Sequence, residues 1–500
     1  MTGSFDGSLL LGFGLYLLLM LVVGAVTVKY MKGLDDFVLG GRRLGPWVTA
    51  VSERASGESA WFLLGLPGAA YAAGFREFWS VIGIGFGIFL SWNLLARGLR
   101  RMSEETGALT IPDFLARRFG GRDQSLRTIA TLILLVFYTS YIGAQLVGSG
   151  QILEATFGID KTVGMAIGAI VVVLYTMLGG FLAVAWTDLF QGLLMAAVAL
   201  ILPILGIAQL GGWDAFVATL VASSPPPEPG AAPAFLAMDA GQTGRAFVFG
   251  VMIGNLSWGL GYFGQPHLLT RYMAIRSVRD LRLGTLIAMS WVLIAYWGAV
   301  FIGFVGRGVL GPELAEAEQV MPLLTKALVP SWLAGIFISG AVAAMMSTAD
   351  SQIMVASSSL IEDVYVNLIR RGQPTESPAR LVLLARVSAF AITALALFLA
   401  FVSRDLIYDM VAYAWAGLGA SFGPTLILAI WWKRFTRGGA IGGMIVGTVA
   451  TIVWKNVPGL QELLDIKVAS FLLAFAVAIL LSLMRIGDPV LAHRKEHAAR

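Results

Sequence analysis

Long apolar stretches alternate with short polar or basic segments along the chain, and this alternation predicts membrane-spanning helices. A helix needs about 20 mainly apolar residues to cross the hydrocarbon core of a bilayer. The stretches that qualify are residues 8–27, 45–73, 79–97, 124–150, 162–179, 181–209, 245–264, 281–306, 333–360, 381–402, 408–432, 438–455 and 468–485. Asp6 is the only charged residue before the first stretch, so the basic segment of a signal peptide is missing there. We therefore expect a retained helix rather than a cleaved signal peptide. The pattern predicts an all-α polytopic membrane protein with about thirteen transmembrane helices.

The composition excludes several classes of function. Hydrophobic residues make up 57% of the chain and charged residues 13%, against roughly 25% charged residues in soluble domains. The absence of cysteine excludes disulfides, thiolate catalysis and iron–sulfur clusters. The three histidines leave little for a metal site, and no phosphate-binding GxxxxGK[ST] loop is present. We therefore expect neither an enzyme nor an ATP-driven pump.

The distribution of basic residues predicts the orientation of the chain. The net charge is +5, but the basic residues lie in short loops rather than in a groove, so we expect no nucleic-acid partner. Most of them fall on the side that holds residues 29–43, 97–127, 271–282, 370–386, 433–437 and the C-terminal tail. Because cytoplasmic loops are enriched in Lys and Arg, we expect the N-terminus outside and the C-terminus in the cytoplasm, in the inner or plasma membrane.

The longest predicted outside loop, residues 210–244, contains the run Ser-Ser-Pro-Pro-Pro at residues 223–227. Proline-rich segments of this kind are stiff and irregular, so the loop predicts a connector without a second domain. We expect one transmembrane domain over residues 1–500.

Two predicted spans are interrupted by polar residues, glycine and proline. Residues 51–68 include Glu53, Arg54, Glu58 and Pro67, and residues 254–267 read Gly-Asn-Leu-Ser-Trp-Gly-Leu-Gly-Tyr-Phe-Gly-Gln-Pro-His. Such interruptions persist in a membrane where they face a cavity or bind something, although glycine and proline can also simply ease helix packing. The two spans are five apart, which predicts an inverted repeat with a transport site at the two breaks. The predicted divisions are 1–44 (an extra N-terminal helix and loop), 45–209 (first repeat), 245–432 (second repeat) and 438–485 (two C-terminal helices).

One face of the ninth span offers oxygen ligands. Ala344, Ser347 and Thr348 are spaced i, i+3 and i+4, so a carbonyl and two hydroxyls share a helix face. A hard cation such as Na⁺ prefers such oxygens, although serine and threonine often bond back to their own helix instead. Asp350 follows on the same span, where a carboxylate is costly without a partner. Asp188 is either a second carboxylate inside the membrane, like Asp350, or a residue of the membrane interface, since it lies near the end of a span.

Three aromatic residues lie within or beside the interrupted segments. These are Trp61, Trp258 and Tyr262, and this position distinguishes them from the aromatic belts that face lipid. Tyr141 has no such support from its local sequence.

Several motifs together give the chain a resemblance to a known family. They are residues 37–42 (Phe-Val-Leu-Gly-Gly-Arg), 65–69 (Gly-Leu-Pro-Gly-Ala), 179–184 (Gly-Gly-Phe-Leu-Ala-Val), 186–188 (Trp-Thr-Asp), 258–267, 346–348 (Met-Ser-Thr) and 413–417 (Tyr-Ala-Trp-Ala-Gly). With these motifs, the chain resembles the sodium/solute symporter family, most closely its sodium/proline symporter branch. The resemblance implies a leucine-transporter-like five-plus-five inverted repeat with extra helices, thirteen in total.

The resemblance also implies site residues. It implies a Na⁺ held by the carbonyls of Ala55 and Glu58 and by Ala344, Ser347 and Thr348. It implies a proline pocket at Trp61, Tyr141, Trp258, Tyr262 and Pro266. Asp188 corresponds to a carboxylate linked to sodium use in the family, and Arg42 to an arginine of the cytoplasmic gate region. Together with Arg54 and Asp350, these two are the candidates for coupling or gating.

The chain departs from the proline branch at the first interrupted span. Glu53 and Arg54 stand where the branch has Ala-Gly, Gly57 replaces Asp, Glu58 replaces Met, and Ala60 replaces Gly. Arg54 and Glu58 are spaced i, i+4 and could form a local ion pair. The pair could stabilise the segment, or one of its members could alter ion coupling.

The sequence therefore predicts a secondary symporter that imports a small amino acid, with L-proline as the favoured substrate, coupled to Na⁺ by alternating access. The alternatives are a symporter of the same fold that uses H⁺ or carries another amino or organic acid, a channel, and a membrane enzyme. The predicted partners are the solute, Na⁺ and the lipid bilayer.

Overall fold

The computed structural model describes residues 7–29, 34–120, 124–224, 234–371, 377–402 and 407–486, and regular structure in these ranges is helical. The first half contains α1 (Gly7–Val28), α2 (Leu34–Leu39), α3 (Pro46–Ala60), α4 (Leu66–Ala73), α5 (Phe78–Leu94), α6 (Ala96–Thr106), α7 (Ile111–Arg118), α8 (Gln124–Phe157), α9 (Lys161–Gln209) and α10 (Trp213–Ala222). The second half contains α11 (Gly254–Leu256), α12 (Trp258–Gly261), α13 (Pro266–Ala274), α14 (Asp280–Leu310), α15 (Val320–Leu328), α16 (Ser331–Ser359), α17 (Pro378–Val402), α18 (Ile407–Trp431), α19 (Arg437–Asn456), α20 (Leu460–Leu463) and α21 (Ile466–Leu483). Shorter 3₁₀ turns lie at Gly40–Arg42, Gly74–Glu77, Ala234–Leu236 and Ala317–Gln319, and π-helical turns at Trp61–Gly65, Ala246–Ile253 and Leu360–Ile369. The prediction of an all-α chain is confirmed over the described residues.

All thirteen predicted spans fall on helical segments, but some of them share one continuous helical run. Among the described residues, ten helices are long and apolar enough to cross a membrane, or eleven if the bent pair Ala246–Gly261 and Pro266–Ala274 is one span. The difference arises because predicted spans share helical runs. Pro46–Thr106 holds the second and third, and α9 holds the fifth and sixth.

Glycine divides these long runs. The 49 residues of α9 would extend about 74 Å, more than twice the roughly 30 Å of a hydrocarbon core. Gly180 interrupts it with φ 60° and ψ −161°, a conformation open mainly to glycine. Gly74, with φ 72°, likewise ends α4 ahead of α5. Each run therefore contains two span-length segments joined by a backbone break.

The prediction of an irregular connector over residues 210–244 is partly wrong. Its first part forms α10, which begins after two glycines at φ 100° and buries Phe216 and Leu220. Apolar residues at this i, i+4 spacing form a helical face that outweighs the nearby prolines. Residues 225–233, which include the proline run, lie outside the described residues.

Packing places the interrupted span beside the ninth predicted span. The α16 helix packs against α1, α3, α8 and α9, and it is almost entirely buried from Ala334 to Ser359. The outer helices instead expose large apolar side chains, as α17 does at Leu383, Val387, Phe390 and Phe398. Apolar residues thus cover the outside of the bundle, and the polar side chains of α3 and α16 meet at its centre.

Candidate functional site

The first interrupted span breaks at Ser59. Its backbone has φ 57° and ψ −177°, and a π-helical turn follows at Trp61–Gly65. Side chains from other helices satisfy the freed backbone groups: the Ser59 N–H donates to Thr348 Oγ1 at 2.9 Å and the Ala60 N–H to Gln145 Oε1 at 2.8 Å. The break is therefore held in place by α16 and α8.

The second interrupted span bends by 46° between α12 and α13. Gln265 is extended there, and Pro266 begins α13 at a position where its missing N–H costs nothing. Gly261 allows α18 to approach, since a Cβ at this position would lie 1.8 Å from Trp415 Nε1. That indole N–H donates to the carbonyl of Trp258 at 2.9 Å, so α18 also supports this break.

A small cavity of about 210 Å³ lies between the two breaks. Its walls are Gly57, Glu58, Ser59, Trp61, Ile84, Tyr141, Trp258, Tyr262, Val411 and Trp415. Little of this space is free of the surrounding side chains, so the cavity suits a small solute better than a drug-sized ligand. The ring centroids of Trp61 and Trp258 are 4.8 Å apart, and those of Tyr262 and Trp415 are 4.7 Å apart. These aromatic rings contact one another, so they form a continuous apolar wall on the cavity.

Four of the five predicted substrate residues line this cavity: Trp61, Tyr141, Trp258 and Tyr262. Pro266 is buried at the start of α13 but is not among the lining residues. Trp415 was not predicted as a site residue, although its motif contributed to the family resemblance. Tyr296 was also missed; its hydroxyl lies 2.8 Å from that of Tyr262 and completes the wall behind it.

The predicted cation ligands lie where α3 meets α16. Ser347 Oγ is 2.9 Å from the Ala55 carbonyl oxygen and 3.2 Å from that of Ala344. Thr348 Oγ1 donates to the carbonyl of Ser56 at 2.9 Å. The hydroxyls therefore reach across to the other helix as well as bonding back to their own, and oxygen atoms converge at the break.

The Glu58 carbonyl occupies a different position from the other predicted ligands. It accepts the backbone N–H of Trp61, within the turn that follows the break. The hydroxyl of Thr348 instead contacts Ser56 and Ser59. Of the predicted ligand set, the structure brings Ala55, Ala344 and Ser347 into direct contact and places Thr348 one residue further along α16.

The charged residues of α3 pair differently from the i, i+4 prediction. Arg54 is fully buried and makes a bidentate ion pair with its neighbour Glu53, with one nitrogen–oxygen distance of 2.6 Å. Trp92 Nε1 also donates to Glu53, at 3.0 Å. The predicted partner Glu58 is 3.5 Å from Arg54 Nη1 without a hydrogen bond. The Arg54–Glu58 contact exists, but Glu53 is the principal partner of Arg54.

The Glu58 carboxyl group is buried on the cavity wall. Its polar neighbours are the guanidinium of Arg54, with Nη1 at 3.5 Å, and the hydroxyl of Tyr296. Arg54 faces both glutamates but binds Glu53 more closely, so ionisation of Glu58 would leave one negative charge in excess among the three side chains. A buried charge is stable only with a compensating partner. The cavity is therefore suited to a cation.

Asp188 lies in the protein interior rather than on the surface, at the centre of a second charged cluster. Its Oδ2 atom is 3.0 Å from Arg271 Nη2 and accepts hydrogen bonds from Ser52 at 2.6 Å and Ser56 at 2.9 Å. Arg271 also donates to Ser351 Oγ at 2.5 Å. This cluster ties α3, α9, α13 and α16 together directly beside the first break.

Of the remaining predicted residues, Asp350 lies in the interior and Arg42 at one end of the bundle. Asp350 is buried on α16, where its Oδ1 accepts the Ser351 hydroxyl at 3.1 Å, so it adjoins the Asp188 cluster. Arg42 lies at one end of the bundle and donates to the carbonyls of Met273 at 2.8 Å and Ala108 at 2.6 Å. Arg42 thus connects the segment before α3 to the ends of α13 and α6.

Comparison with known proteins gives consistent matches over nearly the whole chain. Residues 37–447 match the profile of the sodium:solute symporter family. The high-affinity proline transporter PutP of Bacillus subtilis is 39% identical over 468 residues, covering 92% of this chain and 96% of the relative. The sodium/proline symporter of Escherichia coli is 37% identical over 456 residues, covering 90% and 88%.

Solved structures share the fold. A Na⁺-coupled sialic acid symporter in a substrate-bound, outward-open state superposes with a TM-score of 0.76 at 20% identity, covering 96% of this chain and 98% of that one. The transporter MhsT in complex with L-phenylalanine gives a TM-score of 0.53 at 13% identity, covering 88% and 97%. The fold is therefore that of leucine-transporter-like symporters, as predicted.

Proposed function

This chain belongs to the sodium:solute symporter family, and we propose that it imports L-proline together with Na⁺ by alternating access. It is a multi-pass transporter rather than an enzyme. The relatives named for proline transport support the choice of substrate. The observation that carries the proposal is the position of the cavity: its walls include the same α3 break that meets the α16 hydroxyls.

The proposed substrate site is the aromatic cavity, with Trp61, Tyr141, Trp258 and Tyr262 as its walls and Pro266 as the residue that sets the bend beside it. A pyrrolidine ring is small and its CH₂ groups are apolar, which suits a cavity lined by indole and phenol rings. The substrate ammonium would gain from aromatic faces through cation–π attraction. The cavity walls thus suit both the apolar ring and the ammonium group of proline.

The proposed Na⁺ site is the oxygen cluster formed by the carbonyls of Ala55 and Ala344 and the hydroxyls of Ser347 and Thr348. The Glu58 carbonyl, which accepts the N–H of Trp61 in this structure, is proposed to complete the site by turning toward the cation. Ser347 Oγ donates to the Ala55 carbonyl at 2.9 Å, so a hard cation that prefers oxygen ligands could bind both oxygens in place of this hydrogen bond. When the cation binds, the hydroxyls turn their lone pairs toward it. The ion then holds α3 and α16 together at the break.

We assign the Glu58 carboxylate to the substrate ammonium. Glu58 lines the cavity, and the guanidinium of Arg54 is already engaged by Glu53. An amino acid brings its own cation into the cavity, which balances the remaining negative charge. The competing assignment is that Glu58 takes up a proton or Na⁺ as the coupling ion, which corresponds to the H⁺-coupled alternative.

Coupling between ion and substrate follows from the shared break. Residues 55–61 contribute both to the oxygen cluster and to the cavity walls, so ordering one orders the other. A ligand that is bound better by one conformation shifts the population toward it. The Asp188–Arg271 pair beside the break, with Asp350 adjoining it, is positioned to transmit that shift to α9 and α13.

The proposed orientation has the N-terminus outside and the C-terminus in the cytoplasm of an inner or plasma membrane. It is supported by contacts that gather the basic segments at one end of the bundle, including those of Arg42 with Met273 and of Arg100 with Ile275. The proposed inverted repeats are residues 45–209 and 245–432, each of which begins with a broken span.

Replacement of Tyr262 by alanine should raise the KM for proline tenfold or more, because it removes an aromatic wall and its cation–π contribution. The matched variant Tyr262→Phe keeps the ring and loses only the hydroxyl that contacts Tyr296, so it should have a much smaller effect. Trp258→Ala should behave like Tyr262→Ala. Initial-rate uptake in proteoliposomes measures these effects. Unchanged kinetics in both alanine variants would remove these residues from the site.

Replacement of Thr348 by valine should raise the Na⁺ concentration needed for half-maximal uptake about tenfold, because it deletes one oxygen and keeps the side-chain shape. Thr451→Val is the matched control, since the Thr451 hydroxyl is buried and bonds only to its own helix at Gly447. Uptake measured across a Na⁺ series checks the prediction. Wild-type Na⁺ dependence in Thr348→Val would contradict the assignment.

The substrate assignment is tested by a competition panel. Purified protein in proteoliposomes, with an inward Na⁺ gradient, is given labelled proline and an excess of each unlabelled amino or organic acid. We expect unlabelled proline to compete best, and larger side chains to compete poorly because the cavity is small. If another solute competes more strongly, that solute rather than proline would be assigned as the substrate, and the family assignment would not change.

A further inference from the structure

A second, larger space lies on the outer surface of the bundle and shares no lining residue with the aromatic cavity. It is a groove of about 1250 Å³ where the end of α5 and the start of α6 meet the start of α14. Arg97 lines it from α6, Arg279 and Arg282 from α14 and the turn before it, and the polar side chains of Asn93 and Thr285 complete the lining. The groove thus combines three guanidinium groups with two neutral hydrogen-bonding groups.

These three arginines have no acidic partner among the described residues. Other basic residues at this end of the bundle are engaged: Arg100 pairs with Glu104 at 2.7 Å and Arg276 pairs with Asp280 at 2.7 Å. Asp280 is next to the groove in sequence, but its carboxylate is also held by Ser277. The groove therefore carries an uncompensated positive charge that an anion would neutralise.

An exposed apolar surface continues from the groove along the same two helices. Phe86 and Phe89 precede Asn93 on one face of α5, and Leu283 and Leu286 follow the arginines on α14. Phe86 is 62% exposed and Leu286 is 64% exposed. The α5 and α14 helices pack against each other, so these exposed side chains lie on neighbouring helices that both carry groove residues; we call the four side chains the apolar strip.

We propose that this groove binds an anionic phospholipid, with the headgroup phosphate among Arg97, Arg279 and Arg282 and the acyl chains along the apolar strip. Arginine is suited to the headgroup because its planar guanidinium binds phosphate oxygens in a bidentate manner. Basic pockets between transmembrane helices are characteristic sites for anionic headgroups. The apolar strip distinguishes a lipid from a free phosphate, which would have no use for it. This proposal goes beyond transport and requires only that the chain lie in a membrane.

The floor of the groove leads into the protein interior. Trp92 lines the groove and packs against Gly284, where a Cβ would lie 2.8 Å from the indole ring. The indole N–H donates to Glu53, which pairs with Arg54. A lipid in the groove therefore rests on the residue that supports the charged part of the first interrupted span.

The test compares lipid binding by the full chain and two triple variants, each purified in detergent. Arg97→Gln, Arg279→Gln and Arg282→Gln together remove the charges of the groove. The control is Arg101→Gln with Lys433→Gln and Arg434→Gln, which removes three exposed charges outside the groove. Native mass spectrometry measures the binding of phosphatidylglycerol and of phosphatidylcholine. Because the substituted side chains are exposed, both variants should fold, and monodispersity and the thermal midpoint confirm it.

We expect the wild-type chain and the control to prefer phosphatidylglycerol. The groove variant should lose affinity for it on the order of 100-fold, about fivefold for each guanidinium removed. The single variant Arg279→Gln should show about one fivefold step. Glycerol 3-phosphate at millimolar concentration should not displace the lipid, since it lacks acyl chains. The proposal is overturned if the groove variant binds phosphatidylglycerol like the control, or if glycerol 3-phosphate binds as well as the lipid.

Discussion

Replacement of Glu53 by alanine should destabilise the protein by about 3–5 kcal/mol, the usual cost of stranding one member of a buried ion pair. Arg54 is fully buried, and its other acidic neighbour, Glu58, lies 3.5 Å away without a hydrogen bond. The loss of Glu53 also removes the acceptor for the indole N–H of Trp92. The thermal midpoint in detergent and the yield of monodisperse protein measure the effect.

Removal of both partners should restore most of this stability. The double variant Glu53→Ala with Arg54→Gly leaves no stranded guanidinium, and Ala-Gly is the pair that the resembling proline branch carries here. By contrast, Arg54→Gly with Glu58→Met should remain unstable, because it leaves the Glu53 carboxylate buried without its cation. If this second double variant were as stable as the wild-type chain, Glu58 rather than Glu53 would be the principal partner of Arg54.

Replacement of Glu58 by glutamine should raise the KM for proline roughly 10- to 100-fold, the expected cost of losing a charged hydrogen bond in a buried site. The Na⁺ concentration for half-maximal uptake should stay unchanged, because the proposed ligand at this residue is the backbone carbonyl. Inhibition of uptake by cyclopentanecarboxylate, which has the ring and carboxylate of proline but no ammonium, should not weaken. Uptake kinetics with this analogue as competitor measure all three quantities.

Glu77→Gln is the matched control, because Glu77 is also a buried glutamate but lies outside the cavity, where Ser80 donates to it at 2.9 Å. It should leave the proline KM within about twofold of wild type. A different outcome for Glu58→Gln would reassign the residue. Loss of Na⁺ dependence would make the carboxylate an ion ligand, and loss of pH dependence would make it a proton carrier.

The sequence predicted the helices and both breaks because each depends on local composition. A span requires only a long apolar run, and the breaks at Ser59 and Gln265 lie in segments rich in glycine, serine and proline. The division of the longer helical runs into spans also has a local cause at Gly74 and Gly180, where glycine adopts backbone angles that other residues avoid.

The charged partners were not predictable from spacing. Helix geometry places i, i+4 side chains together and i, i+1 side chains apart, which favoured Glu58 over Glu53 as the partner of Arg54. The long arginine side chain folds back to its neighbour instead. The partner of Asp188 is Arg271, 83 positions away on another helix, and only tertiary packing brings these two together.

The cavity was partly predictable for the same reason. Trp61, Trp258 and Tyr262 were identified because they lie in the broken segments themselves. Trp415 lies on α18, a helix without a break, and reaches the cavity only because Gly261 permits close approach. Tyr141 also lies on an uninterrupted helix, and only the family resemblance indicated its role.

Sodium coupling is tested most directly by exchanging the driving gradient in proteoliposomes that contain only this protein. A membrane potential of 100 mV contributes about 2.3 kcal/mol for one charge, and a tenfold Na⁺ gradient adds about 1.4 kcal/mol. Together they permit accumulation of proline up to about 500-fold. We expect proline accumulation with an inward Na⁺ gradient and none with a pH gradient in Na⁺-free vesicles. Accumulation driven by the pH gradient without Na⁺ would contradict sodium coupling.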